Sequence, residues 1–292
     1  MAKIAAVVVT YNRAALLKTC ITALRTQTTP CHIFILDNHS TDETPDVIRS
    51  MLDADMTAIH LEKNIGGAGG FCEGVRQAIR AEYDYIWLMD DDTVPAPDAL
   101  EKLMAADQLL KGQYGFLSSN VLWTDNTPCR MNVPKYARNS ASVSSHLRPI
   151  VQASFVSCFL PANTIKEVGL PIRDFFIWGD DVEYTRRITI RHRIPAYLCT
   201  TSVVHHHTHH NWGSNIALDI PERLPYYQYA YRNENYLYRK EGIKGFCYYT
   251  LRCLLHLGRI LIKARDHRWH RCHIILSQYG KGLFFNPQIE RE

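Results

Sequence analysis

No run of eighteen uncharged apolar residues occurs in this chain, which argues against a membrane-spanning helix. A basic-then-apolar leader is missing too: a strand pattern starts just after Lys3, so no secretory signal is expected. Nine cysteines are present, but the number is odd and no two have CxxC spacing. That excludes a disulfide framework and a cysteine-rich zinc site, and suggests reduced, mostly buried thiols in a cytoplasmic protein. Low-complexity tracts and internal repeats are absent. No GxGxxG follows the first strand pattern, which disfavours a dinucleotide-binding fold.

What is present is an ordinary globular composition over 292 residues, enough for one generous core or for one domain with an appendage. Its net charge of +4 is unevenly spread. From Arg223 onward there are 13 Lys/Arg against 5 Asp/Glu, whereas the preceding part is slightly acidic. An acidic body with a basic tail suggests one part for chemistry and another for meeting an anionic partner.

The densest signal is Trp87-Leu88-Met89-Asp90-Asp91-Asp92, an apolar strand pattern running into three carboxylates. Strand alternation predicts that Asp90 and Asp92 point one way and Asp91 the other. Two carboxylates on one side of a crevice repel unless a cation lies between them, and hard divalent ions such as Mg²⁺ or Mn²⁺ prefer oxygen ligands. A solvated acidic turn leading into a helix near Pro95 to Asp98 is the plain alternative.

The surrounding pattern gives that strand a context. Ile4 to Thr10 reads as a buried parallel strand, followed by a helix over Ala14 to Gln27. His32 to Leu36 and Thr57 to Leu61 read as further strands, separated by a helix through Val47, Ile48 and Met51. The glycine run Gly66-Gly67-Ala68-Gly69-Gly70 reads as a loop with close backbone approach and positive φ beside a ligand, leading into a helix through Val75 and Ile79. Four strand–helix alternations in about ninety residues predict a doubly wound α/β sheet, mostly parallel and flanked by helices, with the polar strand ends along one edge.

Gly115 to Leu122 and Val151 to Leu160 look like strands, and the polar stretch Thr124 to Pro149 like a long loop over the crevice. Then Trp178-Gly179-Asp180-Asp181 places carboxylates at a helix start beside an aromatic ring. Ala196 to Val204 is another strand pattern, ending in a tract with five histidines in six residues, of which at least one is expected to be functional. The remainder, 216–292, reads as a helical, basic, amphipathic C-terminal region. Within it Arg252, His256, Arg259 and Lys263 share one helical stripe, and leucines and isoleucines fill most of the remaining surface. Such a helix suits an anionic membrane surface, or equally a place packed on the body or on a second subunit.

The ordered set TYNR, DN-S-D, N-GGAGGF, DDD, WGDD-E and a late histidine, from about Lys3 to Ser214, resembles family 2 glycosyltransferases of the GT-A fold. NIGGAGGF, DDDT and IWGDDVEY look most like bacterial galactofuranosyltransferases, with rhamnosyltransferases using dTDP-rhamnose as close relatives. The resemblance implies a catalytic domain over 1–215, its nucleotide-sugar part about 1–95 and its acceptor part about 96–215. It implies inverting, metal-dependent transfer from a UDP-sugar, above all UDP-galactofuranose, to a glycan or lipid-linked acceptor in cell-envelope polysaccharide synthesis. By position Thr10, Arg13, Asp37 and Asn64 would hold the nucleotide, with Asp90 and Asp91 beside it. Asp92 and Asp90 would ligate Mn²⁺ or Mg²⁺ together with His205, or with His207 if the register shifts. Asp181 would be the general base, with Asp180 as the alternative, and Trp178 the acceptor wall. Peripheral attachment to the inner membrane face would suit a lipid-linked acceptor, and oligomerisation stays open.

Two rivals explain less. A nucleic-acid-binding protein using the basic, tyrosine-rich tail leaves the acidic strand ends unexplained, so no nucleic-acid partner is expected. A nucleotidyltransferase would need a longer Gly- and Lys/Arg-rich loop than TYNR after the first strand.

Overall fold

The computed structural model describes residues 2–137, 142–208 and 210–292. Strands β1 (Ile4–Thr10), β2 (His32–Asp37), β3 (Met56–His60) and β4 (Tyr85–Asp90) form a parallel half-sheet in the order β3-β2-β1-β4. All seven residues of β1 are buried, because helices cover both faces. Period two splits them: Ile4, Ala6 and Val8 join one core with α1 (Ala14–Arg25), while Ala5, Val7 and Val9 join the other with α3 (Gly66–Arg80). Between them, α2 (Thr44–Met51) connects β2 to β3.

Beyond β4 the sheet is mixed. After the short β5 (Thr93–Pro95) and α4 (Ala99–Leu110) come β6 (Phe116–Trp123), β7 (Lys135–Tyr136), β8 (Leu147–Gln152), β9 (Cys158–Pro161) and β10 (Ala196–His206). The order continues β4-β9-β6-β10-β8-β7, with β5 paired to β10. β9 is antiparallel to both β4 and β6, and β10 is parallel to β6. Two reversals restore the direction, so β10 ends on the same edge as β4. That brings the histidine tract beside the acidic strand end.

Two sequence expectations need correction here. The single strand expected over Val151 to Leu160 is two, β8 and β9, divided by a 3₁₀ turn at Phe155–Ser157. The turn puts Phe155 against Phe71, with ring centroids 4.9 Å apart, and lets Ser157 accept a 2.8 Å hydrogen bond from Trp87 Nε1. The glycine run is not a loop but the first turns of α3, and only Gly66 has positive φ, at 77°. Its close approach is to the sheet: a Cβ on Gly70 would lie 2.5 Å from Val9 Cγ1, and one on Gly74 2.4 Å from Val7 Cγ1.

α5 (Ala162–Val168) and α6 (Asp180–Arg186) complete the body. Three helices follow, α7 (Leu224–Lys240), α8 (Ile243–Lys263) and α9 (Arg268–Phe284), sharing a core of their own that includes Tyr231, Tyr249 and Ile275. Trp178 and Val182 of the body pack against that core, so the C-terminal helices close over the same crevice. Among the described residues no helix is long and apolar enough to cross a membrane.

Candidate functional site

The edge where β1, β4 and β10 end opens into a cavity of about 790 Å³. Thr10, Arg13, Asn64, Asp90, Asp91, Asp92, Trp178, Asp180 and Asp181 all line it. Asp37 does not: its carboxylate is buried behind the edge, accepting from Ser40 N at 2.9 Å and facing His60 Nδ1 at 2.7 Å. Its neighbour Asn38 lines the cavity instead and accepts from Ile65 N at 2.8 Å, which fixes the start of α3.

Strict alternation along Asp90-Asp91-Asp92 fails because the strand ends at Asp90 and the next two residues form the turn into β5. Arg13 therefore reaches both later carboxylates, with Nη1 donating to Asp92 Oδ2 at 2.6 Å and to Asp91 Oδ1 at 3.3 Å. Thr10 Oγ1 donates to Asp91 Oδ2 at 2.8 Å. Burial pushes Asp91 up to about 6 despite Arg13, and burial with the charge of Asp92 pushes Asp90 up to about 7. Burial also opposes ionisation of Asp92, yet His206 and Arg13 hold it below the usual carboxylate range.

Asp90, Asp92 and His206 bring one ligand atom each within 4.8 Å of one another. The histidine that joins the carboxylates is thus His206, not His205 or His207. Side chains alternate, so 205 and 207 share the face opposite 206. His205 turns away to Asn126 Oδ1 at 2.9 Å, and His207 meets Asp92 only through its backbone N–H, which donates to Asp92 O at 2.8 Å. The parity is set by a register shift between Cys199 and Val203, which a pattern of residue types does not reveal. His209 lies outside the described residues.

The donor set fits a divalent cation. Asn132 donates through Nδ2 to Ser154 Oγ at 2.9 Å, which turns its Oδ1 to His206 Nδ1 at 2.8 Å. Nδ1 is therefore the protonated nitrogen, and the Nε2 lone pair faces Asp92 Oδ1 at 3.0 Å. Asp92 Oδ1 is buried, and among the described residues the His206 ring nitrogen is its one close polar partner. Two lone pairs at that distance call for a positive centre between them. In the metal-free protein a proton takes that role: burial disfavours the charged ring, but Asp92 raises His206 to about 10. A ring nitrogen oriented by a second hydrogen bond is the usual support for a metal-binding imidazole.

Across the cavity, the segment Phe175–Asp181 is held in sparsely populated conformations: φ is 64° at Phe176, 63° at Trp178 and 90° at Gly179. Non-glycine residues at positive φ cost of order 1–3 kcal/mol each and persist only where the surroundings enforce them. Two elements enforce them here. Ala68 N donates to Phe176 O at 3.0 Å, an approach that Gly66 permits, since a Cβ there would lie 2.0 Å from that oxygen. From α7, Asn233 Nδ2 donates to Phe175 O and Trp178 O, both at 2.9 Å, and to Ile177 O at 3.3 Å. Asn233 is fully buried and was missed by sequence reasoning, because an asparagine in a tyrosine-rich helix carries no motif.

This segment delivers Asp180 and Asp181 to the first turn of α6. Burial lifts Asp181 to about 6, against the lowering effect of its bond from Val182 N. Burial and the charge of Asp181 lift Asp180 well above the ordinary carboxylate range. The pair thus divides into one carboxyl that stays protonated and one that ionises near neutrality.

Three members of the basic stripe of α8 border the crevice, whereas Lys263 is exposed away from it. Arg252 Nη2 donates to Glu234 at 2.8 Å, His256 Nδ1 lies 2.7 Å from the Tyr231 hydroxyl, and both line the cavity together with Arg259. The outward face is the apolar one, and Arg252 has its partner in the crevice, which is the packed placement expected equally with a membrane surface. Of the polar stretch Thr124 to Pro149, Met131 lines the cavity and Asn132 supports His206, while residues 138–141 lie outside the described residues.

The family model for glycosyl transferase family 2 matches residues 5–110, the half-sheet with its acidic strand end. The chain is 28% identical over 260 residues to galactofuranosyltransferase GlfT1 of Mycolicibacterium smegmatis, covering 82% of this chain and 84% of that one. It is 28% identical over 263 residues to GlfT1 of Mycobacterium tuberculosis. Among solved structures, S. aureus TarS 1-349 in complex with UDP-GlcNAc is similar with a TM-score of 0.55 and 14% identity, over 97% of this chain and 73% of that one. GalNAc-T7 with UDP, GalNAc and Mn2+ is similar with a TM-score of 0.61 and 13% identity, over 82% of this chain and 49% of that one. The acidic strand end thus lies inside the segment that matches glycosyl transferase family 2, and the chain shares the GT-A fold of its structural neighbours.

Proposed function

We propose that the enzyme transfers galactofuranose, with inversion, from UDP-galactofuranose to a hydroxyl of a lipid-linked or cell-surface glycan, using Mn²⁺ or Mg²⁺. The observation that carries this reading is one cavity holding the Asp90/Asp92/His206 set, with Asp92 Oδ1 facing His206 Nε2, and the Asp180/Asp181 pair. The similarity to GlfT1 supports the donor sugar, and the neighbours solved with UDP-GlcNAc or with UDP and Mn2+ support the nucleotide and the ion.

Asp90, Asp92 and His206 would hold the cation, which when bound supplies Lewis-acid stabilisation of a diphosphate leaving group. Arg13 orients Asp91 and Asp92, so that a nucleotide entering beside Thr10 and Asn64 meets a preformed edge. On the acceptor side, Asp181 takes the proton of the attacking hydroxyl. Its pKa near 6 leaves it ionised at neutral pH yet basic enough for the task. The protonated Asp180 next to it avoids a second buried charge. Trp178, held by Asn233, forms the wall against which an acceptor sugar stacks.

Membrane attachment belongs to the other side of α8. Leu251, Leu254, Leu255 and Ile262 are 58, 59, 62 and 80% exposed, and Lys244, Lys263, Arg265 and Arg268 are exposed near this face. An apolar ridge with basic flanks suits the interface of an anionic bilayer.

A donor panel tests the proposal. With Mn²⁺ and an acceptor glycan, UDP-galactofuranose should give acceptor-dependent UDP release well above UDP-galactopyranose, UDP-glucose or dTDP-rhamnose. Preference for dTDP-rhamnose would overturn the donor assignment.

A further inference from the structure

Outside the crevice, a second concavity of about 610 Å³ lies between the end of β6 and the loop that follows β10. Trp212 lines it with 61% of its surface open, backed by the His210 ring at a centroid distance of 4.3 Å and an angle of 8°. Asn211 fixes this platform: its Nδ2 donates to Pro128 O at 3.1 Å, and its Oδ1 accepts from Arg130 N at 2.7 Å. On the β6 side, Trp123 Nε1 donates to Thr208 O at 3.0 Å, so the second indole of the groove is fixed as well. Rigid aromatic surface of this kind loses little conformational freedom when a ligand covers it.

The lining narrows the ligand. Asp125 and Arg130 offset each other, so no charge of one sign selects an anion or a cation. Asp125 Oδ1 is taken by Thr127, through N at 2.9 Å and Oγ1 at 2.6 Å, which leaves Oδ2 as an acceptor at the rim. Flat apolar platforms rimmed by hydrogen-bonding groups suit a neutral ligand with a C–H face and a belt of hydroxyls, which is a sugar ring.

The groove is continuous with the crevice along both walls. Arg130 lines the groove and its neighbour Met131 the crevice, and Trp212 lines the groove and its neighbour Gly213 the crevice. Strand order puts the groove on the β6–β10 side of Asp90, opposite the β1 side where Thr10 meets the nucleotide. That leaves the acceptor as the substrate able to reach it. We propose that the Trp212/Trp123 groove is a distal subsite for neutral sugar residues of the acceptor glycan, filled when that chain is long enough to leave the crevice past Met131 and Gly213. This rests on the glycan acceptor of the proposed function, so the test includes a reading that needs no turnover.

The full-length enzyme is assayed with UDP-galactofuranose, Mn²⁺ and octyl galactan acceptors from the monosaccharide to the hexasaccharide. In wild type KM should fall as the acceptor lengthens. W212A should raise KM for the hexasaccharide about tenfold, the usual scale for truncating an anchoring tryptophan, with kcat and the monosaccharide KM unchanged and W212Y restoring part of the loss. In parallel, calorimetry in EDTA without nucleotide should show the hexasaccharide binding about tenfold more weakly to W212A, with UDP affinity in Mn²⁺ unchanged. No dependence of KM on length in wild type, or equal hexasaccharide affinity in W212A, overturns the subsite. Loss of UDP affinity in W212A would make Trp212 part of the donor site and also overturn it, as would a fall in sedimentation mass, which would assign the groove to a second copy of the chain. Hexasaccharide binding that W212A weakens, with no turnover of UDP-galactofuranose, would contradict the donor assignment while leaving the groove standing.

Discussion

Replacing Asn233 by alanine should disarm the enzyme without touching any group that meets substrate. The side chain donates to three backbone carbonyls of the segment that carries Trp178 and Asp181, two of them at 2.9 Å. An unsatisfied buried acceptor costs about 1–3 kcal/mol. Two positive-φ residues in the same segment, Phe176 and Trp178, then lose part of what enforces them. A loss of roughly 2–4 kcal/mol follows if the segment stays in place, or less if it relaxes and moves Asp181 away. Either outcome is measurable. In the first, Tm falls by about 5–15 °C, from the 2–4 °C per kcal/mol usual for chains of comparable size. In the second, kcat falls by about 10²-fold, the range for a misplaced base, while donor affinity is kept. Circular-dichroism melting, acceptor-dependent UDP release and UDP calorimetry on N233A separate the cases. Wild-type Tm with wild-type kcat would refute the claim that Asn233 holds the catalytic segment.

Asp181 ionises near pH 6 and must be a carboxylate to accept a proton, so kcat should be present above about pH 6 and fall tenfold per unit below it. D181N should abolish that acid limb along with at least 10²-fold of turnover; a limb that survives in D181N belongs to another group. The outward ridge is tested with L254E/L255E, each leucine being worth on the order of 1.5 kcal/mol on transfer out of water, so binding to phosphatidylglycerol vesicles should weaken about 100-fold. Transfer to a soluble acceptor should persist, and undiminished vesicle binding would remove the membrane role.

The parts of the fold that were legible in the sequence are those where period and burial agree. Ile4–Thr10 is apolar throughout because both faces are covered, and its bounds are read without error. The acidic ends of β4 and α6 were legible as well, since carboxylates placed directly after apolar runs have few structural uses. Several points that the sequence left wrong or undecided share one physical origin: each depends on contacts distant in sequence. The glycines of α3 look like a loop until the sheet that packs on them is known. His206 is selected over its neighbours by a register shift within β10. Arg252 of α8 turns inward because Glu234 lies there, which a helical wheel does not show. Asn233 is the extreme case, acting entirely on backbone carbonyls more than fifty residues away.

Manganese binding to the histidine variants bears most directly on the account. Metal-stripped wild type, H205A, H206A and H207A are titrated with Mn²⁺ and followed by the loss of the free-ion paramagnetic resonance signal, with turnover measured on the same samples. H206A should bind at least tenfold more weakly and lose activity, because Asp92 Oδ1 then lacks its partner across the ion, whereas H205A and H207A should bind as wild type does. Unaltered Mn²⁺ affinity and turnover in H206A, or full wild-type activity in excess EDTA, would contradict it.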